Sequence, residues 1–212
     1  MTADKILQFC KADYGTEVCT MPGAVNIIYL EGCDFDTLSP NNDAPDLWND
    51  TSLIILHDKH GEPFIAHQSQ ATSEPGLSAT KSKRAEALGG VARITIGFQK
   101  ECWVEGYHKG NPNHPALIQA KPITVHRDKN KDFKRTGDII TADVKGLNQH
   151  GTKPNLVPVR VGEFSYACLV RRLWANHLDF MRLIYADPRR SPINKFYFSS
   201  TVADYSKMWK SF

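Results

Sequence analysis

The sequence predicts one β-rich α+β domain. Short apolar or alternating segments recur at intervals of about ten residues, which is typical of a chain with many short strands. Residues 52–57 and 63–67 flank the turn-forming Asp58-Lys59-His60-Gly61, which indicates a β-hairpin. Residues 173–185 have apolar side chains at helical spacing until Asp187-Pro188 stops the pattern, so one main helix is expected late in the chain. Together these patterns favour an α+β domain in which the sheet dominates.

The remaining elements follow from the same patterns. An amphipathic segment at 3–14 predicts a short helix that ends near Tyr14-Gly15. The Asp-, Asn- and Pro-rich residues 34–50 and the small, polar residues 71–85 predict loops. Further strands are predicted at 25–30, 91–96, 101–107 (paired with 91–96), 117–120, 123–127, 139–144 and 195–202. We therefore expect a short N-terminal extension at 1–22 and a single domain at 23–212.

The composition limits the classes of function. The chain has 212 residues, of which 41% are hydrophobic and 23% charged, with a net charge of +3. These values are typical of a globular protein, and no apolar run is long enough for a membrane span. The positive charges are dispersed, which disfavours nucleic acid as a partner but is compatible with an anionic polymer such as a bacterial wall. A monomer without cofactors is expected.

The five cysteines form no metal-binding pattern. Their spacing contains no Cys-x-x-Cys pair, so reduced and mostly buried thiols are expected, although a disulfide from Cys10 or Cys19 to Cys33 stays open. The N-terminus lacks a basic segment followed by an apolar one, so no secretory signal is predicted.

A histidine and a cysteine with the spacing of a catalytic pair lie in the second half of the chain. His150 and Cys168 are separated by a segment long enough for a loop and a returning strand, so the two side chains can meet in space. An imidazole that takes the proton of a thiol is the minimum requirement for thiolate catalysis. The pattern therefore predicts a cysteine nucleophile.

The same stretch resembles the catalytic motif of the YkuD-type L,D-transpeptidases, a His-Gly followed by Ser/Thr-His-Gly-Cys and an Arg. Here Tyr166-Ala167 replaces the His-Gly of that motif, and Arg171 follows the cysteine by three residues rather than two. The wider context is similar to a subset of these proteins from phages and prophages. That resemblance spans about residues 23–202 and rests on Gly23-Ala24-Val25-Asn26-Ile27, His108-Lys109-Gly110, Ile123-Thr124-Val125-His126-Arg127-Asp128-Lys129-Asn130-Lys131-Asp132, Gly146-Leu147-Asn148-Gln149-His150 and Ser165-Tyr166-Ala167-Cys168.

The resemblance implies an L,D-transpeptidase-like fold and a set of catalytic roles. Cys168 is expected to be the nucleophile and His150 the base, with Asn148-Gln149 orienting the imidazole. Ser165 is expected to form hydrogen bonds within the turn. The backbone N–H groups of Tyr166, Ala167 and Cys168 could form the oxyanion hole, and a helix starting near residue 171 is expected to lower the pKa of the thiol. Ala167 replaces a glycine, so a positive φ at this position would be strained.

The resemblance also implies residues that contact substrate. Arg171 or Arg172 is expected to bind a carboxylate at the end of a peptide stem. His108 and His126 are expected to line the cleft, and Asn148 and Gly151 to lie beside the substrate.

Two groups of residues have side chains that can bind a metal ion. His108, His114 and His126 match no common zinc spacing, so zinc is not predicted. Asp128, Asn130 and Asp132 resemble the start of a calcium loop, but position six is Phe133 rather than Gly, and position twelve is not Glu. A solvated turn is the alternative.

These observations predict a cysteine enzyme that hydrolyses or exchanges amide bonds of peptidoglycan peptide stems. Synthesis in a host cytoplasm without a signal, followed by action at the periplasmic wall, favours a phage lysis protein. The alternatives are an L,D-transpeptidase or L,D-carboxypeptidase of wall remodelling, and a wall-binding or virion structural protein that has lost catalysis.

Overall fold

The strands of the computed structural model, which describes residues 1–135, 138–191 and 193–212, form a closed barrel and a small separate sheet. The barrel has eight strands in the order β1-β11-β5-β6-β9-β10-β3-β2, and the small sheet has the order β4-β7-β8. The strands are β1 (Asn26–Glu31), β2 (Asp50–His57), β3 (Pro63–Thr72), β4 (Val91–Ile94), β5 (Gly97–Tyr107), β6 (Pro115–Gln119), β7 (Ile123–Asp128), β8 (Ile139–Val144), β9 (Asn148–Gly151), β10 (Leu169–Arg171) and β11 (Phe198–Asp204). The predicted β-rich α+β class is therefore confirmed.

Helices are few and mostly short. They are α1 (Ala3–Tyr14), α2 (Leu77–Thr80), α3 (Lys83–Ala87), α4 (Trp174–Tyr185) and α5 (Tyr205–Trp209), with a 3-10 turn at His108–Gly110. The predicted helix at 3–14 is confirmed: the Thr2 hydroxyl accepts the Lys5 N–H at its start, and Gly15 ends it with a φ of 65°. The predicted late helix is α4.

Strand pairing differs from the prediction in one important place. The hairpin of β2 and β3 is confirmed, but the predicted pairing of 91–96 with 101–107 is wrong. Strand β4 pairs with β7 in the small sheet, whereas β5 pairs with β11 and β6 in the barrel. The predicted loop at 71–85 was also wrong in part, because the end of β3, α2 and the start of α3 lie there.

The two faces of β1 pack against different helices. Ile28 and Leu30 belong to a buried cluster with Ile6 and Phe9 of α1, the helix within the predicted 1–22 extension. Ile27 and Tyr29 alternate to the other face and belong to the main core, to which α4 contributes residues such as Phe180. Helix α4 also contacts β9, which carries His150, and β10, which directly follows Cys168, so it lies against both halves of the predicted catalytic motif.

All five cysteines are free thiols, so the disulfide that the sequence left open does not form. Cys19 is half-buried and the other four are buried. None of the helices in the described part of the chain has the length and apolarity needed to cross a membrane.

Candidate active site

Two adjacent parallel strands bring the predicted nucleophile and base to the same face of the barrel. Strand β9 pairs with β10 in the register Gln149 to Leu169 and His150 to Val170. One step earlier in this register Cys168 lies opposite Asn148, whose backbone amide is near enough to the thiol to lower its pKa. Because side chains two positions apart on a strand share a face, Cys168, Asn148 and His150 project in the same direction. The sequence prediction that His150 and Cys168 meet is consistent with this arrangement.

The hydrogen bonds of His150 fix its tautomer. Its Nδ1 atom lies 2.7 Å from the Gly151 carbonyl oxygen, which can only accept, so Nδ1 carries the proton. Nε2 then has a free lone pair, and this buried atom has no hydrogen-bond partner in the described part of the protein. A neutral imidazole with an unoccupied Nε2 is the form that accepts a proton from a nucleophile.

Three more histidines surround His150. His108 stacks on the His150 ring with centroids 3.8 Å apart, and its Nδ1 accepts a hydrogen bond from the Asn148 side-chain amide. His114 packs edge-on against Trp174, and its Nε2 donates to the Gly151 carbonyl at 3.1 Å. His177 of α4 donates from Nε2 to the Pro115 carbonyl. The sequence predicted His108 in the site, whereas His114 was weighed only for zinc and His177 was missed because its helix was treated as packing.

Burial keeps all four imidazoles neutral. Desolvation lowers the pKa of His108 to about 4 and the pKa values of His150 and His177 well below the usual value, and it also lowers the pKa of His114. The mutual proximity of the rings adds to the effect, because each charged imidazole would raise the cost of charging the next.

The turn before Cys168 is strained at Ala167. The φ of Ala167 is 121°, a conformation that non-glycine residues rarely adopt, as the sequence comparison with a glycine-containing motif anticipated. Ser165 closes the turn: its hydroxyl donates to the Cys168 carbonyl at 2.8 Å and accepts the Ala167 N–H at 3.3 Å. Ser165 therefore shapes the turn, as predicted. Because the Ala167 N–H is bonded to the Ser165 hydroxyl, it is not free for the oxyanion hole that the resemblance implies.

The charge state of Cys168 differs from the expectation. Burial raises its pKa, while the Asn148 amide, Lys109 and Arg84 partly oppose that rise. The predicted lowering of the thiol pKa by a helix start is wrong, because β10 follows Cys168 and helix α4 begins only at Trp174. The thiol is therefore neutral at pH 7, and a base must take its proton during attack.

A cationic pocket is lined in part by Cys168. Its volume is about 360 Å³, and its lining combines Cys168 and Tyr166 with the basic side chains Arg84, Arg127 and Lys145. Apolar walls come from Leu88, Val91 and Leu147. Tyr166 is 38% exposed and its ring lies 5.8 Å from the Arg84 guanidinium carbon. The pocket thus places a thiol next to positive charge and an aromatic surface.

The chain matches no protein-family model, and neither a curated protein nor a solved structure shows significant similarity to it. The resemblance to L,D-transpeptidases therefore rests on the motif residues themselves.

One predicted cleft residue is replaced by its neighbour. Arg127 lines the pocket, whereas His126 is not among its lining residues. On β7 the buried Ile123 and Val125 share a face with Arg127, and His126 alternates to the other face. That period of two was visible in the sequence and could have identified Arg127.

Other predicted substrate contacts have packing roles. Arg171 is fully buried with its guanidinium carbon 3.1 Å from the Phe180 ring centroid, which argues against direct contact with a substrate carboxylate. Arg172 is held away from Cys168, since it donates to the Pro158 carbonyl and the Gln70 side chain. Gly151 is buried, and a Cβ there would lie 2.6 Å from the Cβ of His177, so this glycine permits close approach of α4 rather than binding substrate.

The calcium-like segment is a self-contained turn. The Asp128 carboxylate accepts the N–H groups of Asp132 and Phe133, and Asp132 accepts the Lys134 N–H and the Asn130 amide. These bonds occupy oxygens that calcium would require, which favours the alternative of a turn.

A second acidic group also has cationic partners. Oxygens of Glu31, Asp43 and Glu74 lie within 4.8 Å of one another, but Arg135 pairs with Glu31 and Arg93 pairs with Glu74 at 3.0 Å. The guanidinium groups supply the positive charge that a metal ion would otherwise bring.

Proposed function

We propose that the chain is a cysteine-dependent acyl-transfer enzyme that cleaves or exchanges amide bonds in peptidoglycan peptide stems. The acyl-transfer part rests on the pairing of Cys168 with His150, and the substrate class rests on the motif resemblance to phage-associated L,D-transpeptidase-like proteins. In this role the protein would act at the periplasmic wall during lysis.

One observation supports the proposal above the others. His150 donates from Nδ1 to a carbonyl and leaves Nε2 unpaired, two positions along β9 from the residue opposite Cys168. The unpaired Nε2 on the thiol-bearing face is what a general base requires.

The geometry suggests a stepwise reaction. As the Cys168 sulfur bonds to the amide carbonyl carbon, His150 Nε2 takes the thiol proton. The imidazolium then gives this proton to the amide nitrogen, the carbon–nitrogen bond breaks, and the free amine leaves a thioester on Cys168. Water releases the acyl group as a carboxylate in hydrolysis, whereas an amine releases it as a new amide in exchange.

The neutral state of the pair also gives support to a second candidate. Burial raises the pKa of Cys168 and lowers that of His150, so a preformed thiolate–imidazolium pair is disfavoured. A wall-binding or virion structural protein that has lost catalysis would tolerate this state. A true L,D-transpeptidase or L,D-carboxypeptidase of wall remodelling uses the same chemistry and differs in the acceptor or the bond.

Purified sacculi test the proposal. Wild-type protein, Cys168→Ala and His150→Ala would be incubated with sacculi, and released fragments identified by mass spectrometry. We expect release by the wild type only, with fragment masses that identify the bond.

A matched control is Cys102→Ala, because Cys102 is buried but lies on β5 outside the site. Binding of all four proteins to the wall without release of any peptide would favour the non-catalytic candidate.

A further inference from the structure

We infer that Arg84, Arg127 and Lys145 select an acyl donor that carries a carboxylate close to the scissile carbonyl. The inference rests on the proposed acyl transfer at Cys168 and assigns the charge of the substrate at that site. None of these three residues is predicted as a site residue from the sequence.

In the part of the chain that the structure describes, the three cations have no carboxylate partner. None of the ion pairs found within residues 1–135, 138–191 and 193–212 includes Arg84, Arg127 or Lys145. Among the described residues, the Arg127 side chain donates one hydrogen bond, to the Gly90 carbonyl at 3.3 Å, and Arg84 contacts the Tyr166 ring. By contrast, the basic residues Arg93, Arg135 and Arg189 are each paired with an acid elsewhere in the protein. The pocket therefore concentrates uncompensated positive charge.

The pocket also separates polar from apolar surface. The basic side chains share a cavity of about 360 Å³ with Leu88, Val91 and Leu147, and the described lining includes no acidic residue. A cavity of this volume can hold a single substrate side chain but not a strand of polymer. A short aliphatic side chain ending in a carboxylate matches both surfaces, since its carbon atoms can contact the apolar wall while the guanidinium groups bind the charge.

The position of the charge relative to the thiol gives it a role in selection. Cys168 forms part of the same wall, and Arg84 is close enough to favour the ionised form of its sulfur. A carboxylate held by these cations would place the neighbouring carbonyl at the sulfur. A donor in which that carboxylate is amidated would leave the cations unpaired, so it should react more slowly.

Alkylation of Cys168 tests the charge selection without any wall substrate. The rates of modification by iodoacetate, which is anionic, and iodoacetamide, which is neutral, would be followed by mass spectrometry of the Cys168 peptide. The ratio of the iodoacetate rate to the iodoacetamide rate is compared with the same ratio for the free thiol 2-mercaptoethanol. A change in thiol pKa affects both reagents equally, so the ratio reports only the local charge.

We expect the wild-type ratio to exceed that of the free thiol. Arg127→Met and Lys145→Met should each lower it by about threefold, the effect of removing one charge at several ångströms. The matched control is Arg182→Met, since Arg182 is 77% exposed on α4 and pairs with Asp179. An unchanged ratio in both pocket variants, a wild-type ratio equal to that of the free thiol, or no reaction of Cys168 with either reagent would overturn the inference.

The outcome is independent of the proposed enzymatic activity. A high ratio together with no release of fragments from sacculi would support anion binding in the cationic pocket and would contradict catalysis. Release of fragments together with an unselective ratio would contradict anion binding in this pocket and leave the proposed catalysis intact.

Discussion

Ala167 carries backbone strain directly beside the proposed nucleophile. Its φ of 121° is readily adopted by glycine but costs a residue with a side chain about 1–3 kcal/mol. Ser165 on one side and β10 on the other hold the turn in place. Strain that persists at such a position is often part of the function of the site.

Ala167→Gly should therefore stabilise the protein. We expect the free energy of unfolding to rise by about 1 kcal/mol, because relief of strain exceeds the extra freedom that glycine has in the unfolded chain. Denaturant unfolding measures the change. The matched control is Ala116→Gly on β6. Ala116 does not have a positive φ, so glycine relieves no strain there and this variant should lose stability. Destabilisation of similar size in both variants would contradict the strain.

The pH dependence of the reaction tests the role of His150. Burial lowers the pKa of His150 well below its usual value of 6.5, and a base acts only when unprotonated. Activity should therefore persist as the pH falls below 6.5, and the acidic limb of kcat/KM should lie below that value. An acidic limb at or above pH 6.5 in a pH–rate profile would exclude His150 as the base with this environment.

Single residues were predictable where chemistry restricts the choice. The spacing of His150 and Cys168 indicates that they can approach each other, and the resemblance to a motif with glycine before the cysteine indicates strain at Ala167. Arg127 and His177 were missed because the side of a strand or helix that faces a cleft depends on tertiary packing, which a local pattern gives only in part.

The close contact between β9 and α4 depends on Gly151. A Cβ at this position would lie 2.6 Å from the Cβ and 2.8 Å from the Cγ of His177, so the helix would have to move away from the strand that carries His150. Gly151→Ala should lower the free energy of unfolding by about 1–3 kcal/mol, as overpacking in a core usually does.

A double-mutant cycle separates this contact from other effects. Combining Gly151→Ala with His177→Gly removes the clash, because glycine, unlike alanine, lacks the Cβ atom that lies at 2.6 Å, so the double variant should lose less stability than the sum of the single variants. Urea unfolding of the four proteins gives the coupling. Additive losses would show that the contact with His177 is not the cause.

Elements were predicted better than their partners. The β2–β3 hairpin and α4 follow from turn residues and helical periodicity, which act locally. The pairing of β4 with β7 rather than β5 is non-local. Strands β4 and β7 belong to the small sheet and not to the barrel, and residues of this sheet line the cationic pocket. Sequence alternation shows that a strand forms but not which strand it joins.

The whole molecule is joined by a buried ionic cluster between the barrel and the small sheet. Arg93 of β4 pairs with Glu74, and Arg135, which follows β7, binds Glu31 of β1 through both oxygens. Burial and the Glu31 charge raise the pKa of Asp43 to about 6. The cluster therefore has more acid than the two arginines neutralise.

Asp43→Asn should change how stability depends on pH. Folded Asp43 keeps its proton up to about pH 6, whereas the unfolded chain loses it near pH 3.8, so its contribution to stability is present at low pH and lost as the pH rises through 6. The variant has no such charge and should gain on the order of 1–3 kcal/mol relative to wild type above pH 7, with little difference at pH 4.

Thermal unfolding of both proteins between pH 4 and pH 8 measures this difference. The histidine cluster loses stability in the opposite direction, as the pH falls below 6.5, but it is common to both proteins and cancels. A difference in Tm that does not grow with pH would contradict the assignment to Asp43.

Intact-protein mass spectrometry can detect whether Cys168 forms a thioester with a wall peptide, as the proposed function requires. Protein mixed with purified peptide stems is quenched in acid and measured before and after hydroxylamine, which cleaves thioesters. We expect an acyl adduct on Cys168 in wild type that hydroxylamine removes, and no adduct in Cys168→Ala. Fragment release from sacculi that is equal in wild type and Cys168→Ala, with no adduct at any time, would contradict the proposed function.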